Sequence, residues 1–124
     1  MTEVGIVFVS HSKCIAQGLV DLISEVAKDI VLTYVGGTED GGIGTSFEQV
    51  QTVVEANKAE KILAFFDLGS ARMNLELVAD FSDKDIIINN VPIVEGAYTA
   101  AALLQADADL VTIQEQLKEL EIKK

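Results

Sequence analysis

Four short runs of apolar residues divide the chain. They span Val4 to Val9, Ile30 to Val35, Ile62 to Phe66 and Ile86 to Ile88. Within each run the apolar residues are nearly continuous and do not alternate with polar ones, which is typical of strands buried on both faces. The pattern therefore predicts four strands in a sheet that helices cover on both sides.

Segments with helical spacing of apolar residues follow these runs. Between Lys13 and Lys28 the apolar side chains fall on one face, which predicts an amphipathic first helix. The second helix is predicted to begin at Thr45 or Ser46, because each of them has a Glu or Gln three positions later, as in a capping box.

Three more helices are predicted in the second half of the chain. One runs from about Ser70 to Phe81, with Ser70 as the better N-cap. Pro92 suits the first turn of a fourth, an Ala-rich helix around 96–106. The fifth follows Asp109, and its apolar stripe serves either the core, which is slightly favoured, or an interface. That stripe consists of Leu110, Ile113, Leu117 and Leu120.

The order of these elements, βαβαβαβ and then two helices, predicts an α/β fold. Alternating strands and helices give a doubly wound, mainly parallel sheet with right-handed crossovers and helices on both faces. We expect the strand order 2-1-3-4, which follows a common arrangement of such sheets. The chain length fits a single domain over residues 1–124.

The composition narrows the possible partners. The chain has 20 acidic and 9 basic side chains, for a formal net charge of -11. Nucleic acids and membrane surfaces are poor partners, because Lys and Arg contacts to phosphate drive binding to both. The one cysteine, Cys14, forbids an internal disulfide, and no apolar run approaches the roughly 20 residues that span a bilayer. We expect a cytoplasmic protein.

The residues that can carry chemistry follow the first and third predicted strands. In an open doubly wound sheet, ligands bind at the carboxyl ends of the strands where the winding reverses, here between strands one and three. His11, the only histidine, follows the first strand, and Asp67 follows the third. A carboxylate that accepts a hydrogen bond from one ring N–H fixes the tautomer and leaves the other nitrogen nucleophilic. We therefore predict a catalytic pair with His11 as the nucleophile.

Simpler explanations exist for the same residues. A lone loop histidine often serves a turn, and Asp67 taken alone is equally an N-cap of the next helix. Cys14 is another possible nucleophile, although its place in a first helical turn favours a small buried side chain. Receiver domains of phosphorelays also carry an acid after the third strand, but they need further acids where this chain has Ser10 and His11.

The one long loop is glycine-rich and reads GGTEDGGIG from Gly36 to Gly44. It lacks the lysine of a Walker loop and the third glycine of a dinucleotide fingerprint, so both nucleotide signatures fail. N–H groups and hydroxyls at Gly44, Thr45 and Ser46 are candidates for holding an anion at a helix start. A mobile surface turn is an equally good interpretation.

Three helix starts are expected around one crevice, those after His11, near Ser70 and near Thr45. Their free N–H groups suit a phosphoryl group that carries close to two negative charges. The nearby basic candidates are Lys13 and Arg72. Because cations do much of the work in phosphoryl transfer, we expect a relay component whose partner brings arginine or a metal ion. No metal site is expected in this chain.

The motifs together resemble a known family. They are VFVSHS at 7–12, the glycine loop with Thr45 and Ser46, DLGSA at 67–71 and PIVEG at 92–96. Nearly the whole chain is similar to the DhaM family, the phosphotransfer subunits of phosphoenolpyruvate-dependent dihydroxyacetone kinases. That family is related to the A domains of mannose-type sugar phosphotransferase systems (PTS), which carry Gly-Gly-Ser-Pro after the acid. This chain has LGSA there, which favours the dihydroxyacetone branch.

The resemblance implies a PTS mannose-type EIIA-like fold and a phosphoryl relay. The carrier HPr donates the phosphoryl group to His11, and ADP bound with Mg²⁺ on the subunit DhaL accepts it. Dihydroxyacetone on the subunit DhaK is then phosphorylated, and this chain is expected to bind no cofactor of its own. His11 is expected to be phosphorylated on Nε2 while Asp67 orients the ring through Nδ1.

The same resemblance implies further contacts and an oligomeric state. Proteins of this family are usually dimers, so a homodimer is expected. Two alternatives stay open: a mannose-type EIIA domain that serves a sugar-specific EIIB domain, and a receiver-like regulatory module. The residues expected to contact phosphate or a partner are Ser10, Ser12, Gly44, Thr45, Ser46, Gly69 and Ser70.

Overall fold

The computed structural model describes residues 4–124, and strands and helices alternate through most of this range. The predicted domain over 1–124 includes residues 1–3, which lie outside the described part. The strands are β1 (Val4–Ser10), β2 (Val31–Gly36), β3 (Lys61–Phe66) and β4 (Asp85–Ile88). The helices are α1 (Lys13–Val26), α2 (Phe47–Ala56), α3 (Gly69–Phe81), α4 (Ile93–Gln105) and α5 (Leu110–Lys118).

All strand pairs in the sheet are parallel, and the strand order is β2-β1-β3-β4. The predicted fold class and strand order are therefore confirmed. Val9 of β1 lies beside Phe66 of β3, so the two strands end at the same edge of the sheet. The loops that carry His11 and Asp67 consequently begin side by side.

Side chains of β1 are buried on both faces of the sheet, which explains its continuous apolar run. Ile6 and Phe8 belong to one core cluster with residues of α1, α4 and α5. Val7 and Val9 belong to a second cluster with residues of α2 and α3. All four side chains have no solvent exposure, and burial of such a side chain contributes about 1.5–3 kcal/mol. This central strand gives the site a rigid base.

Side chains cap three of the helices at their N-termini. Ser12 accepts a hydrogen bond from Ile15 N–H at the start of α1, and Asp109 caps α5 in the same way. At α2 the cap is Ser46, which decides between the two predicted residues. Such a cap stabilises a helix by about 1 kcal/mol, because it satisfies an N–H group that has no partner within the helix.

One prediction about a helix start is wrong. Leu68 stands at the N-cap of α3, so Ser70 lies within the first turn of the helix and does not cap it. The fourth helix begins at Ile93 with Pro92 at its N-cap, so Pro92 lies at the helix entry, within one residue of the predicted first turn. The fixed φ of proline suits this helix entry.

The burial of two helices can be compared with the sequence analysis. Ile113 and Leu117 of α5 are buried in the core, which confirms the core interpretation of its apolar stripe. Cys14, by contrast, is exposed, so its predicted burial is wrong. The buried face of α1 is formed by Ala16, Leu19 and Ile23. Within 4–124, no helix combines the length and apolar character that a membrane crossing requires.

Candidate active site

The backbone at the end of β1 is fixed by hydrogen bonds from two other segments. Asp67 N–H donates to the Val9 carbonyl at 3.3 Å. Gly37 N–H donates to the Ser10 carbonyl at 3.1 Å, and Gly44 N–H donates to the His11 carbonyl at 2.9 Å. The glycine loop and the β3–α3 turn thus flank the histidine on both sides.

The glycine loop needs its glycines at specific positions. Gly37 and Gly44 have φ values of 76° and 143°, where residues with a side chain are strained. At Gly36 a Cβ would lie 2.5 Å from the Ser12 carbonyl oxygen and 2.5 Å from Ala16 Cβ. The missing side chain lets the end of β2 approach the start of α1 closely. Both ends of the loop are therefore held close to the start of α1.

His11 and Asp67 form the predicted pair. Nδ1 of His11 lies 2.8 Å from Oδ1 of Asp67, and their side chains are 15% and 13% exposed. The His11 backbone N–H donates a second hydrogen bond to Oδ2 of Asp67 at 2.8 Å. The acid therefore holds both the ring and the backbone of the histidine.

The contacts of the ring decide its tautomer. An ionised carboxylate only accepts hydrogen bonds, so Nδ1 carries the proton that is donated to Asp67. In the neutral ring Nε2 then has a free lone pair, and the Ser70 hydroxyl donates to it at 2.5 Å. Ser70 is exposed, so Nε2 lies at the surface. The imidazole presents its nucleophilic nitrogen toward solvent.

Asp67 stays ionised because several donors converge on it. Burial raises its pKa, but hydrogen bonds from the backbone and ring of His11, from Ser10 and from Leu68 outweigh burial and lower the pKa below its usual range. The Ser10 hydroxyl donates to Oδ2 at 2.8 Å. A fixed negative charge therefore faces Nδ1, and it favours any state in which the ring gains positive charge.

Ser10 does not lie where phosphate would contact it. Its side chain is 1% exposed, donates to Asp67 and accepts a hydrogen bond from Ser12 N–H at 3.1 Å. Ser12 is occupied as the cap of α1, with Ile15 N–H at 3.3 Å. Both serines therefore have hydrogen-bond partners within the protein. The Ser10 hydroxyl helps to hold the Asp67 carboxylate in place.

The three residues at the end of the glycine loop also have internal partners. Gly44 N–H is bound to the His11 carbonyl. The Thr45 hydroxyl accepts a hydrogen bond from the Asn74 side chain of α3 at 2.8 Å, and the Ser46 hydroxyl accepts one from Gln49 N–H at 3.2 Å. These contacts place Gly44 against His11 and use Thr45 to link the loop to α3.

The start of α3 differs from the starts of α1 and α2. Among the described residues, no side chain caps its N-terminus. Gly69 and Ser70, in its first turn, are exposed, and the Ser70 hydroxyl reaches Nε2 of His11. First-turn N–H groups have no intrahelical acceptor and attract anions. This helix end therefore offers donors for an anion bound to Nε2.

A basic residue besides the predicted Lys13 and Arg72 lies near the site. Nε of Arg72 is 3.9 Å from Glu76 on the same helix. No sequence signal indicated the additional residue, Lys124. Its Nζ donates to the carbonyls of Phe66 and Val91 at 2.5 and 2.8 Å. Phe66 directly precedes Asp67, so this ammonium stands at the same edge of the sheet.

The described residues contain no group of three or more His, Cys, Asp and Glu side chains that could hold a metal ion. The site consists instead of one imidazole, its carboxylate partner, a hydroxyl and an uncapped helix start. This set is suited to a group transfer in which the imidazole is transiently modified.

Comparisons with known proteins show the family of this chain. The model of the EIIA-man family, described as "PTS system fructose IIA component", matches residues 5–114. The phosphotransferase subunit DhaM of the PTS-dependent dihydroxyacetone kinase of Lactococcus lactis is 58% identical over 97% of this chain and 98% of that protein. The phosphoryl donor subunit DhaM of PEP-dependent dihydroxyacetone kinase 1 of Listeria innocua is 51% identical over 96% of each chain.

A solved structure supports the fold independently. The crystal structure of a protein of unknown function is 30% identical, has a TM-score of 0.85, and covers 99% of this chain and 98% of its own. With the family match over most of the residues, these likenesses confirm the resemblance drawn from the motifs. The chain belongs to the EIIA-man family of PTS components and, within it, to the DhaM phosphotransferase subunits of PEP-dependent dihydroxyacetone kinases.

Proposed function

We propose that His11 of this chain accepts a phosphoryl group from phosphorylated HPr and passes it to ADP on the DhaL subunit of a dihydroxyacetone kinase. The observation that carries the proposal is the ring geometry: Nδ1 is 2.8 Å from Asp67, while Nε2 lies at the exposed edge beside Ser70. The two relatives are a phosphotransferase subunit and a phosphoryl donor subunit, which supports the same function.

The first transfer needs no separate general base. The Nε2 lone pair attacks the phosphorus of the donor, the N–P bond forms, and the electron pair of the donor's bond to phosphorus returns to HPr. Nδ1 keeps its proton, so the ring gains positive charge next to the Asp67 carboxylate. That carboxylate interacts more strongly with the charged ring than with the neutral one, and it therefore lowers the barrier.

The second transfer reverses this charge change. A terminal phosphate oxygen of ADP attacks the phosphorus, the N–P bond breaks, and its electron pair returns to Nε2 as ATP forms. The ring is neutral again and the Asp67 hydrogen bond is retained. ADP and Mg²⁺ are assigned to DhaL, so in this proposal the chain binds no cofactor, and DhaK holds the dihydroxyacetone.

Ser70 takes part in both states of the histidine. Its hydroxyl donates to Nε2 at 2.5 Å in the unmodified ring, so it must rotate away before the nitrogen attacks. After phosphorylation the same hydroxyl can donate to a phosphoryl oxygen. The exposed first turn of α3, with Gly69 and Ser70, adds backbone donors on that side.

Labelling with phosphoenolpyruvate, enzyme I and HPr tests the proposal. We expect one acid-labile, alkali-stable phosphoryl group on the wild-type protein and none on the His11→Ala variant. Cys14→Ala is the matched control, because it removes the exposed nucleophile near His11, and it should label normally. Equal labelling of His11→Ala and wild type would refute the assignment.

Two further assays separate the alternatives. Base-labile labelling by acetyl phosphate would favour a receiver-like module with Asp67 as acceptor. Transfer to a sugar-specific EIIB domain, without transfer to ADP on DhaL, would favour the mannose branch.

A homodimer and a single domain over 1–124 are also part of this proposal. Sedimentation equilibrium should give twice the monomer mass of 13.3 kDa, and a monomer at all concentrations would refute the dimer.

A further inference from the structure

The segment after α5 returns to the edge of the sheet that carries His11. Ile122 N–H donates to the carbonyl of Asn90 at 2.9 Å. Nζ of Lys124 then donates to the carbonyls of Phe66 and Val91, and it lies 4.0 Å from the centre of the Phe66 ring. The Lys124 ammonium is thereby fixed between the carboxyl end of β3 and the loop that follows β4.

The anchoring of this ammonium leaves its charge unpaired. Two of its three N–H donors bind neutral carbonyl oxygens, and no carboxylate within the described residues forms an ion pair with it. Burial lowers the pKa of Lys124, while the negative charge of Asp67 raises it and so opposes burial. The negative charge that acts on Lys124 thus belongs to the carboxylate that holds His11.

Another lysine of the described residues is anchored in a similar way. Lys84 donates to the carbonyls of Asn57 and Ala59, which precede β3, so it lies at the opposite edge of the sheet. Of these two anchored ammonium groups, Lys124 is the one held at the edge where the proposed phosphohistidine forms.

A phosphoryl group on Nε2 creates an electrostatic problem that a cation can reduce. The group carries close to two negative charges and lies on a ring whose other nitrogen contacts the negative Asp67. The phosphoryl group and the Asp67 carboxylate repel each other, and this repulsion is not fully screened at a partly buried site. A fixed ammonium at this edge of the sheet favours the added negative charge of the phosphoryl group, which exceeds the positive charge that the ring gains.

We propose that Lys124 is a positioning residue whose fixed ammonium stabilises the phosphorylated state of His11, because that state is more negative in net charge than the unmodified site. The inference rests on the proposed function, since it concerns the phosphohistidine of the same site. The ammonium acts on the carboxylate and on the field around the phosphoryl group, and it takes no part in bond making or breaking.

The equilibrium between phosphorylated HPr and this chain measures the effect. Lys124→Met keeps the length and apolar stem of the side chain and removes its charge. Because the variant removes one unit charge whose effect is partly screened, we expect the equilibrium constant for His11 phosphorylation to fall about threefold to tenfold. Lys124→Arg should return the constant to within about twofold of the wild-type value, because the charge is restored.

A neighbouring lysine and the salt dependence provide controls. Lys123→Met removes an equal charge from the same segment, and it should leave the equilibrium constant unchanged. The difference between Lys124→Met and wild type should shrink at about 1 M salt, where the screening length falls to about 3 Å. Thermal unfolding of each variant checks that the fold is retained.

The outcomes separate the two proposals. An unchanged constant in Lys124→Met, or equal loss in Lys124→Arg and Lys124→Met, would overturn the role of the charge while leaving the histidine assignment intact. Equal loss in Lys123→Met would also overturn it, because the effect would then belong to net charge. Absence of labelling in the wild-type protein would instead overturn the proposed function, and with it this inference.

Discussion

Replacing Asp67 with asparagine keeps the size of the side chain but disturbs every contact it makes with His11. Oδ1 accepts from the ring Nδ1, and Oδ2 accepts from the His11 backbone N–H and from Ser10. An amide has one oxygen and one NH₂ group, so it cannot accept at both positions. With the NH₂ toward the ring, Nδ1 becomes the acceptor and the proton moves to Nε2, which can then no longer attack. With the NH₂ toward the backbone, it faces the His11 backbone N–H, and neither of these two donors finds an acceptor.

The size of the effect follows from these contacts. Loss of one hydrogen bond to a charged group costs about 1.5–3 kcal/mol, which corresponds to about 10-fold to 200-fold in rate. The wrong tautomer and the missing negative charge beside the ring add to this loss. We therefore expect Asp67→Asn to slow phosphoryl transfer from HPr by about 100-fold to 10,000-fold.

Rapid-quench measurement of a single transfer from phosphorylated HPr provides the rate. Asp109→Asn is the matched control, because Asp109 also accepts a backbone hydrogen bond as the cap of α5, at 2.9 Å from Thr112 N. The control should transfer at the wild-type rate. A rate for Asp67→Asn within about twofold of the wild type would refute the orienting role of the acid.

Three further predictions follow from particular contacts. Ser70→Ala removes the donor beside Nε2, so we expect the half-life of the phosphohistidine at neutral pH to fall about threefold to tenfold, as one hydrogen bond is lost; an unchanged half-life would exclude that contact. Because the pKa of Asp67 in the folded protein lies below its ordinary value of 3.8, the free energy of unfolding should fall as the pH drops below about 5 and through the folded pKa. Urea titrations at several pH values should show a weaker fall in Asp67→Asn, and parallel curves would contradict this. Gly36→Ala places a Cβ 2.5 Å from the Ser12 carbonyl oxygen, so thermal unfolding should show a loss of about 1–3 kcal/mol, and an unchanged melting temperature would show that the close approach is dispensable.

Most of the fold could be predicted because burial leaves a clear pattern. The run from Ile62 to Phe66 is fully buried, and such consecutive apolar residues are typical of a parallel sheet covered on both faces. Helix ends were harder, since competing caps differ by little in free energy. Ser70, the predicted cap, contacts His11 and does not cap α3.

One contact within the candidate site could be predicted for the same physical reason. The pairing of His11 with Asp67 follows from parallel strands that end at one edge, so the contact could be predicted from the order of the strands. The direction of the Ser10 side chain could not be predicted, because it depends on the side of the strand end at which Asp67 lies. Lys124 was missed because it reaches the site through a segment without regular structure, whose path no periodic pattern records.

The position of the phosphorus on the imidazole tests the central claim most directly. Heteronuclear NMR of the protein phosphorylated through HPr distinguishes the two ring nitrogens of His11. The account predicts phosphorus on Nε2, with Nδ1 still protonated and bound to Asp67. Phosphorus on Nδ1, or on a residue other than His11, would contradict it.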